Sequence, residues 1–296
     1  MHRPTGRLRT LACVAQPGQA GDDRGKGICL LSRIAFGPDR WYNRPNDFEK
    51  GGNLMRTDGR RADELRPIKL ELNYTHYAEG SVLITQGRTV VLCNATVDDR
   101  LPAWMLKDAA GRGWVTAEYS MLPRSTHTRT PRETTPAAST QEIRRLIGRS
   151  LRQAVDLALL GPRQIIVDCD VLQADGGTRT AAVTGGYLAL ALAVRKLIAA
   201  GAAPAAALLA PVAAVSVGVV DGEPLLDLCY DEDSRAEMDM NLVMNRGGRI
   251  IEIQGNAERQ PFDRPMLDRL LDLATGGIGE LLRRQADTLG LADVVR

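Results

Sequence analysis

Apolar residues fall in short runs along much of this chain, and three stretches take up a helical spacing instead. Ser81–Thr85 and Thr89–Val97 flank Gln86-Gly87-Arg88, a pattern that predicts a hairpin. Trp114 to Leu122 is another strand-like segment, followed by a polar loop rich in Thr, Pro and Arg from Pro123 to Ala138. Ser139-Thr-Gln-Glu142 has the spacing of a capping box and predicts a helix start. Ile143, Leu146, Ile147, Leu151, Ala154, Val155, Ala158 and Leu159 keep the helical period until Gly161-Pro162 ends it. Ile165 to Val171 predicts a strand that runs into paired glycines, and a small-residue helix then continues to about Lys196. Val212–Val220 with Pro224–Leu228, and Met238–Met244 with Arg249–Gln254, predict two more hairpins, the latter around Asn245-Arg-Gly-Gly248. An amphipathic helix from near Arg264 to about Gln285 closes the pattern. Strand pairs alternate with helices in two similar passes. That predicts one α+β domain over 55–296, with helices packed on a mixed sheet.

Residues 1–54 hold many Gly and Arg, scattered Pro, and neither period. Their short apolar patch, Ile28 to Phe36, is broken by Ser32 and Arg33 and is too brief for a secretory segment. Asp22, Asp23, Asp39, Asp47 and Glu49 argue against an organellar transit peptide. The expectation is a disordered extension, with Met55 as the natural start. Leu197 to Val220 lacks any charge and has the length of a membrane span. Its Ala and Gly content, with Pro204 and Pro211, predicts a helix end, a loop and a buried strand instead.

Composition narrows the chemistry. A net charge of only +2 leaves nucleic-acid binding to local basic patches, and 4% aromatic residues weigh against a base-stacking platform. Five cysteines without a CxxC pair suit a reducing cytoplasm better than disulfides or zinc. With only His2, His76 and His127, histidine triads and zinc hydrolase sites are excluded as main readings.

Two runs concentrate reactive groups. Asp170 to Ala181 places Gly176, Gly177, Thr178, Arg179 and Thr180 at a strand-to-helix turn. Backbone N–H groups at a helix start, with hydroxyls and a guanidinium beside them, suit a phosphate-sized anion. No Gly-Lys-Ser/Thr is present, so the turn is not a P-loop. Asp227 to Asn241 is dense in carboxylates, which suit a hard divalent cation or proton chemistry. Asp227 and Asp233 are the pair expected to meet a metal above the phosphate. Arg145, Arg149 and Arg152 form a stripe on one helix face, and Arg124, Arg129 and Arg132 punctuate the preceding loop. Together they offer a track for an extended polyanion.

These segments resemble the ribonuclease PH family of phosphate-dependent exoribonucleases. The resemblance rests on Met55-Arg-Thr-Asp-Gly-Arg60, Asp63-Glu-Leu-Arg-Pro67, Glu79-Gly-Ser-Val-Leu-Ile84, Thr116 to Arg124, Arg145-Leu-Ile-Gly-Arg149, Asp168 to Ala181 and Glu232 to Asn241, in family order. It implies phosphorolysis of tRNA precursor 3′ ends, with inorganic phosphate as co-substrate and Mg2+ as cofactor. It carries phosphate binding to Gly177, Thr178 and Arg179, catalytic and magnesium roles to Asp227 and Asp233, and RNA contact or assembly to Arg124, Arg129 and Arg132. A homohexamer, a trimer of dimers, is also implied.

Two departures stand out. Ser139 occupies the place of a phosphate-binding arginine, and the loop from Arg132 to Thr140 is about three residues short of the family pattern. Loss of one charge-assisted contact corresponds to roughly 1.5–3 kcal/mol. Asn256-Ala-Glu-Arg-Gln260 also stands where a Gly/Thr-like turn is expected. A catalytically impaired, ring-forming RNA-binding subunit is therefore the alternative. A small-molecule kinase ranks below both, since no loop with a phosphate-contacting lysine is visible.

Overall fold

The hairpin around Gly87 forms as the pattern predicts. β2 (Gly80–Gln86) and β3 (Thr89–Asp98) pair antiparallel, with Gln86 opposite Thr89 and Gly87 left-handed at the turn. The structure, a computed structural model, describes residues 56–106, 111–132, 137–259 and 261–290. The 1–54 extension, the start at Met55, residues 133–136 of the shortened loop between Arg132 and Thr140, and Gln260 lie outside the described residues.

Two sheets organise the rest. In the first, β1 (Ile68–Leu72) pairs with β2, and the order runs β1-β2-β3-β5-β4. β4 (Trp114–Met121) and β5 (Gln164–Gln173) run parallel, so this sheet is mixed. Between them the chain crosses over through α1 (Ala138–Arg152) and the short α2 (Leu157–Leu160). After β5 comes α3 (Thr178–Ala199). The second sheet is antiparallel in the order β7-β6-β8-β9, from β6 (Val212–Val220), β7 (Glu223–Leu226), β8 (Met238–Asn245) and β9 (Ile250–Ala257). The short α4 (Tyr230–Asp233) joins β7 to β8, and α5 (Arg264–Thr288) follows β9.

The layers explain the composition of the central elements. α3 packs on β2 and β3 and also on β6, so it is buried on two sides and carries no polar face. It is long and apolar enough to cross a membrane, and here both sheets cover it. The contact is close: a Cβ on Gly80 would stand 1.9 Å from the Ala189 carbonyl oxygen. All nine residues of β6 are buried, because Val212 and Ala214 face α3 while Ala213, Val215 and Val217 face a second core under α5. A strand buried on both faces reads as an unbroken apolar run.

Two local expectations are corrected. The cap of α1 is Ala137 with no side-chain bond, and Ser139 lies exposed inside the first turn. The periodic run also does not continue to Leu159 as one helix. Extended residues at its end pair with a distant segment: Asp156 N–H donates to Ala207 O (2.9 Å) and Leu209 N–H to Ala154 O (2.8 Å). Asp156 then caps α2 through the N–H groups of Ala158 and Leu159.

Candidate active site at the start of helix α3

The site is built where β5 turns into α3. Gly176 and Gly177 both take positive φ, 74° and 63°, a conformation that favours glycine. The carbonyls of this turn are tied inward. Arg66 donates to Asp175 O, and Thr89 Oγ1 donates to Gly176 O (2.7 Å). Gly177 caps α3 without any side-chain hydrogen bond to the first-turn amides. Those N–H groups carry the positive end of a 22-residue helix. Thr178 Oγ1 shares a hydrogen bond with Tyr119 Oη (2.9 Å), which fixes its rotamer. Thr180 instead bonds back to Gly177 O. Arg179 donates to Gln254 Oε1 (2.9 Å), and Gln254 in turn donates to Glu142 of α1. Three elements thus aim one guanidinium beside an open helix end.

Asp227 does not stand ready for a metal. It is fully buried, and its two oxygens accept from the Arg66 backbone N–H (2.8 Å), the Arg66 guanidinium (2.6 and 3.1 Å) and Gln86 Nε2 (2.7 Å). Burial pulls its pKa upward, but the Arg66 charge and these bonds outweigh burial and hold it below the usual carboxylate range. Its left-handed φ of 57° is held by the same network. Glu232 is engaged likewise, accepting from Arg56 in a bidentate pair. The expected pair of Asp227 with Asp233 is therefore revised: Asp227 anchors Arg66, and Arg66 anchors the glycine turn.

Asp233 ends α4, is exposed at the cleft, and lies within range of the Arg179 charge. The second carboxylate there is Asp239 of β8, which sequence reasoning passed over. Desolvation in the cleft, then the charge of Asp239, raises the Asp233 pKa; desolvation, then Glu258, raises that of Asp239. Neither makes an ion pair among the described residues. A usable signal was present: Asp233 and Asp239 keep the same six-residue spacing as Asp227 and Asp233. No group of three metal-ligating side chains occurs among the described residues. Two carboxylates facing an anion site nevertheless fit Mg2+, which commonly takes one or two carboxylates and completes its shell with water and phosphate oxygens.

The remaining arginines divide. Arg124, Arg129 and Arg132 are exposed, with Arg124 donating to His127 O (2.9 Å). Their loop is pinned beside the site, since Ala174 N–H donates to Ser125 O and His127 leans on Tyr230 at 6.1 Å. In the α1 stripe, Arg149 forks onto Glu252, and Arg152 lies over Trp114 and donates to Val115 O. Of that stripe, only Arg145 has no hydrogen bond or ion pair among the described residues.

The chain is similar to known proteins. Residues 64–196 match domain 1 of the 3′ exoribonuclease family, and residues 210–277 match domain 2. Ribonuclease PH of Moorella thermoacetica is 55% identical over 240 residues, covering 80% of this chain and 95% of that protein. Ribonuclease PH of Bdellovibrio bacteriovorus is 54% identical over 237 residues, covering 80% and 97%. The Archaeoglobus fulgidus exosome with RNA bound to the active site matches with a TM-score of 0.67 at 23% identity, over 78% of this chain and 92% of that one. The last likeness speaks for the fold. With both family domains matched in order and more than half of the aligned residues identical to two relatives, the chain belongs to the ribonuclease PH family of 3′ exoribonucleases.

Proposed function

We propose that this protein is a phosphorolytic 3′→5′ exoribonuclease that trims tRNA precursors and other RNA 3′ ends. Inorganic phosphate attacks the terminal phosphodiester, a new P–O bond forms, and the bond to the 3′ oxygen breaks. The products are a nucleoside diphosphate and an RNA shorter by one nucleotide, its 3′ oxygen taking up a proton. One observation carries the reading: the uncapped start of α3 has Arg179 on one side and the unpaired carboxylates Asp233 and Asp239 nearby.

In this reading Gly177, Thr178 and Arg179 hold the attacking phosphate through backbone amides, a hydroxyl and a guanidinium. An anion attacking an anionic diester needs positive charge to offset repulsion. Asp233 and Asp239 would hold Mg2+, which when bound neutralises phosphoryl oxygens as charge builds on them. Arg124, Arg129 and Arg132 would contact the RNA backbone, which fixes register without reading sequence. The enzyme would work in the cytoplasm as a homohexamer of three dimers. Exposed Trp104, Leu106, Ile250 and Ile253 are surfaces that subunit contacts would cover, and light scattering of the purified protein tests the assembly.

The decisive assay offers purified protein a tRNA with extra 3′ nucleotides and Mg2+, with and without phosphate. Phosphate-dependent release of nucleoside diphosphates is the expected result. Binding of the tRNA without any diphosphate release would favour the impaired-subunit alternative. Ser139 is the residue behind that alternative. It lies three residues before Glu142, on the same face of α1, and Glu142 bonds the Gln254 that holds Arg179.

A further inference from the structure

Beneath the turn that opens α3, one row of polar side chains crosses three strands of the second sheet. Ser216 of β6 lies opposite Asn241 of β8, and Asn241 lies opposite Gln254 of β9. Directly opposite residues of antiparallel strands share a face. That face looks toward α3. Gln254 accepts from Arg179, and Ser216 Oγ lies 3.6 Å from where a Cβ on Gly177 would stand.

Gln254 is committed to Arg179 and Glu142, but its two neighbours are idle. Ser216 is 6% exposed and its hydroxyl has no hydrogen-bond partner among the described residues. Asn241 is 8% exposed, and no hydrogen bond engages its amide among the described residues. Buried polar side chains in native proteins nearly always have a partner. A buried hydroxyl without a partner, beside a carboxamide that no hydrogen bond engages among the described residues, both on the face toward an uncapped helix end, marks the position of a ligand. Gly177 matters here again. A Cβ there would press on Arg66 Nη2 at 2.8 Å and meet Thr180 Oγ1 at 3.3 Å and Ser216 Oγ at 3.6 Å, so only glycine lets the first turn of α3 lie this close to the sheet.

We infer that Ser216 and Asn241 form the floor of the anion cradle and donate hydrogen bonds to inorganic phosphate, an inference that rests on the phosphorolytic reading above. The α3 amides and Arg179 hold the anion from the helix side, and the floor holds it from the sheet side. A hydroxyl and a carboxamide add donors without adding charge. They therefore grip the phosphate without drawing the neighbouring carboxylates Asp233 and Asp239 away from a cation. The same floor takes the terminal phosphate of the product, since that group carries the oxygens of the phosphate that attacked.

The test uses the full chain and inorganic phosphate as the probe. Phosphate binding is measured directly by calorimetry for wild type, Ser216→Ala, Ser216→Cys and Asn241→Asp, with thermal unfolding as the folding control. Ser216→Ala should weaken phosphate roughly tenfold, the scale of one hydrogen bond to a charged group. In the phosphorolysis assay that loss should fall on the KM of phosphate and leave the KM of RNA in place. Ser216→Cys restores the volume with a weak donor and should bind as poorly as Ser216→Ala. Asn241→Asp keeps the shape, adds a negative charge, and should weaken phosphate further. Wild-type affinity in Ser216→Ala, or its recovery in Ser216→Cys, would overturn the inference by showing the residue only fills space. Absence of diphosphate release by the wild type would sink the phosphorolytic reading alone, because the binding measurement still decides this one.

Discussion

Asp227 and Asp233 stand six residues apart and end in opposite environments. Asp227 lies sealed beneath the glycine turn, with four hydrogen bonds to its oxygens and Arg66 as its counter-ion. Asp233 opens onto the cleft with Asp239 beside it, and no ion pair among the described residues compensates either. The pKa directions follow: Asp227 is held low, while Asp233 and Asp239 are pushed up. A satisfied carboxylate gives rigidity, and an unsatisfied one is available to bind. In the proposed mechanism both have a use: the sealed cluster holds the turn still, and the open pair works against it.

Replacing Asp227 with Asn strikes the sealed side and should have the largest effect on the fold. Arg66 would remain buried with its counter-ion gone, at a cost of about 3–5 kcal/mol. Thermal unfolding should show a clear fall in Tm. Linkage gives a second reading. Because the folded pKa values of Asp227 and Glu232 are depressed, their stabilisation is present above the unfolded carboxylate pKa and is lost as pH falls through the folded values. The Asn variant should therefore lose part of that acid slope. A folded variant of normal Tm with weakened Mg2+ binding would erase the contrast and return Asp227 to the metal.

Asp233→Asn and Asp239→Asn probe the open side. Each should cut turnover about a thousandfold, equivalent to roughly 4 kcal/mol of transition-state stabilisation. Tm should hold or rise slightly, because the fold disfavours the charged form of both groups. Loss of Tm together with activity would mean that these carboxylates also support structure. Arg179→Ala should then raise the KM of phosphate roughly ten- to a hundredfold, as expected for a lost charge-assisted contact. Size-exclusion chromatography should find its assembly unchanged, since the one side-chain hydrogen bond of Arg179 among the described residues is to Gln254 of the same chain.

The contrast also marks where sequence reasoning stopped. The hairpins, the glycine turn and α3 were legible because each is specified by neighbours within a few residues, as with Gln86-Gly87-Arg88. β1 escaped, its five-residue alternation being too short to stand out. The break in the first helix was invisible because its cause, the pairing with Ala207 and Leu209, comes from some fifty residues away. The site failed for the same reason at longer range. Asp227 and Asp233 look equivalent on the page, and the difference is Arg66, 161 residues from Asp227. Asp239 sits in a regular strand, where alternation explains its polarity without any chemistry. What brings it to Arg179 is the pairing of β8 with β9, which holds Gln254 opposite Asn241.

Glu258 offers the finest adjustment of the contrast. Its charge helps raise the pKa of both Asp233 and Asp239, and the Arg179 charge works in the opposite direction. If both carboxylates must be ionised for turnover, activity falls as pH drops through their raised values. Glu258→Gln removes a repulsive charge, lowers both values, and should move the acid limb of the pH–rate profile to lower pH. Glu258 is exposed, so salt should screen its effect. The displacement between wild type and variant should accordingly shrink as ionic strength rises. A limb that stays in place at low salt would mean that Glu258 does not act on the pair, leaving desolvation, the charge of Asp239 on Asp233 and the Arg179 charge to set their titration. A limb that shifts equally at all salt concentrations would point instead to a rearranged cleft, since a screened charge cannot behave that way.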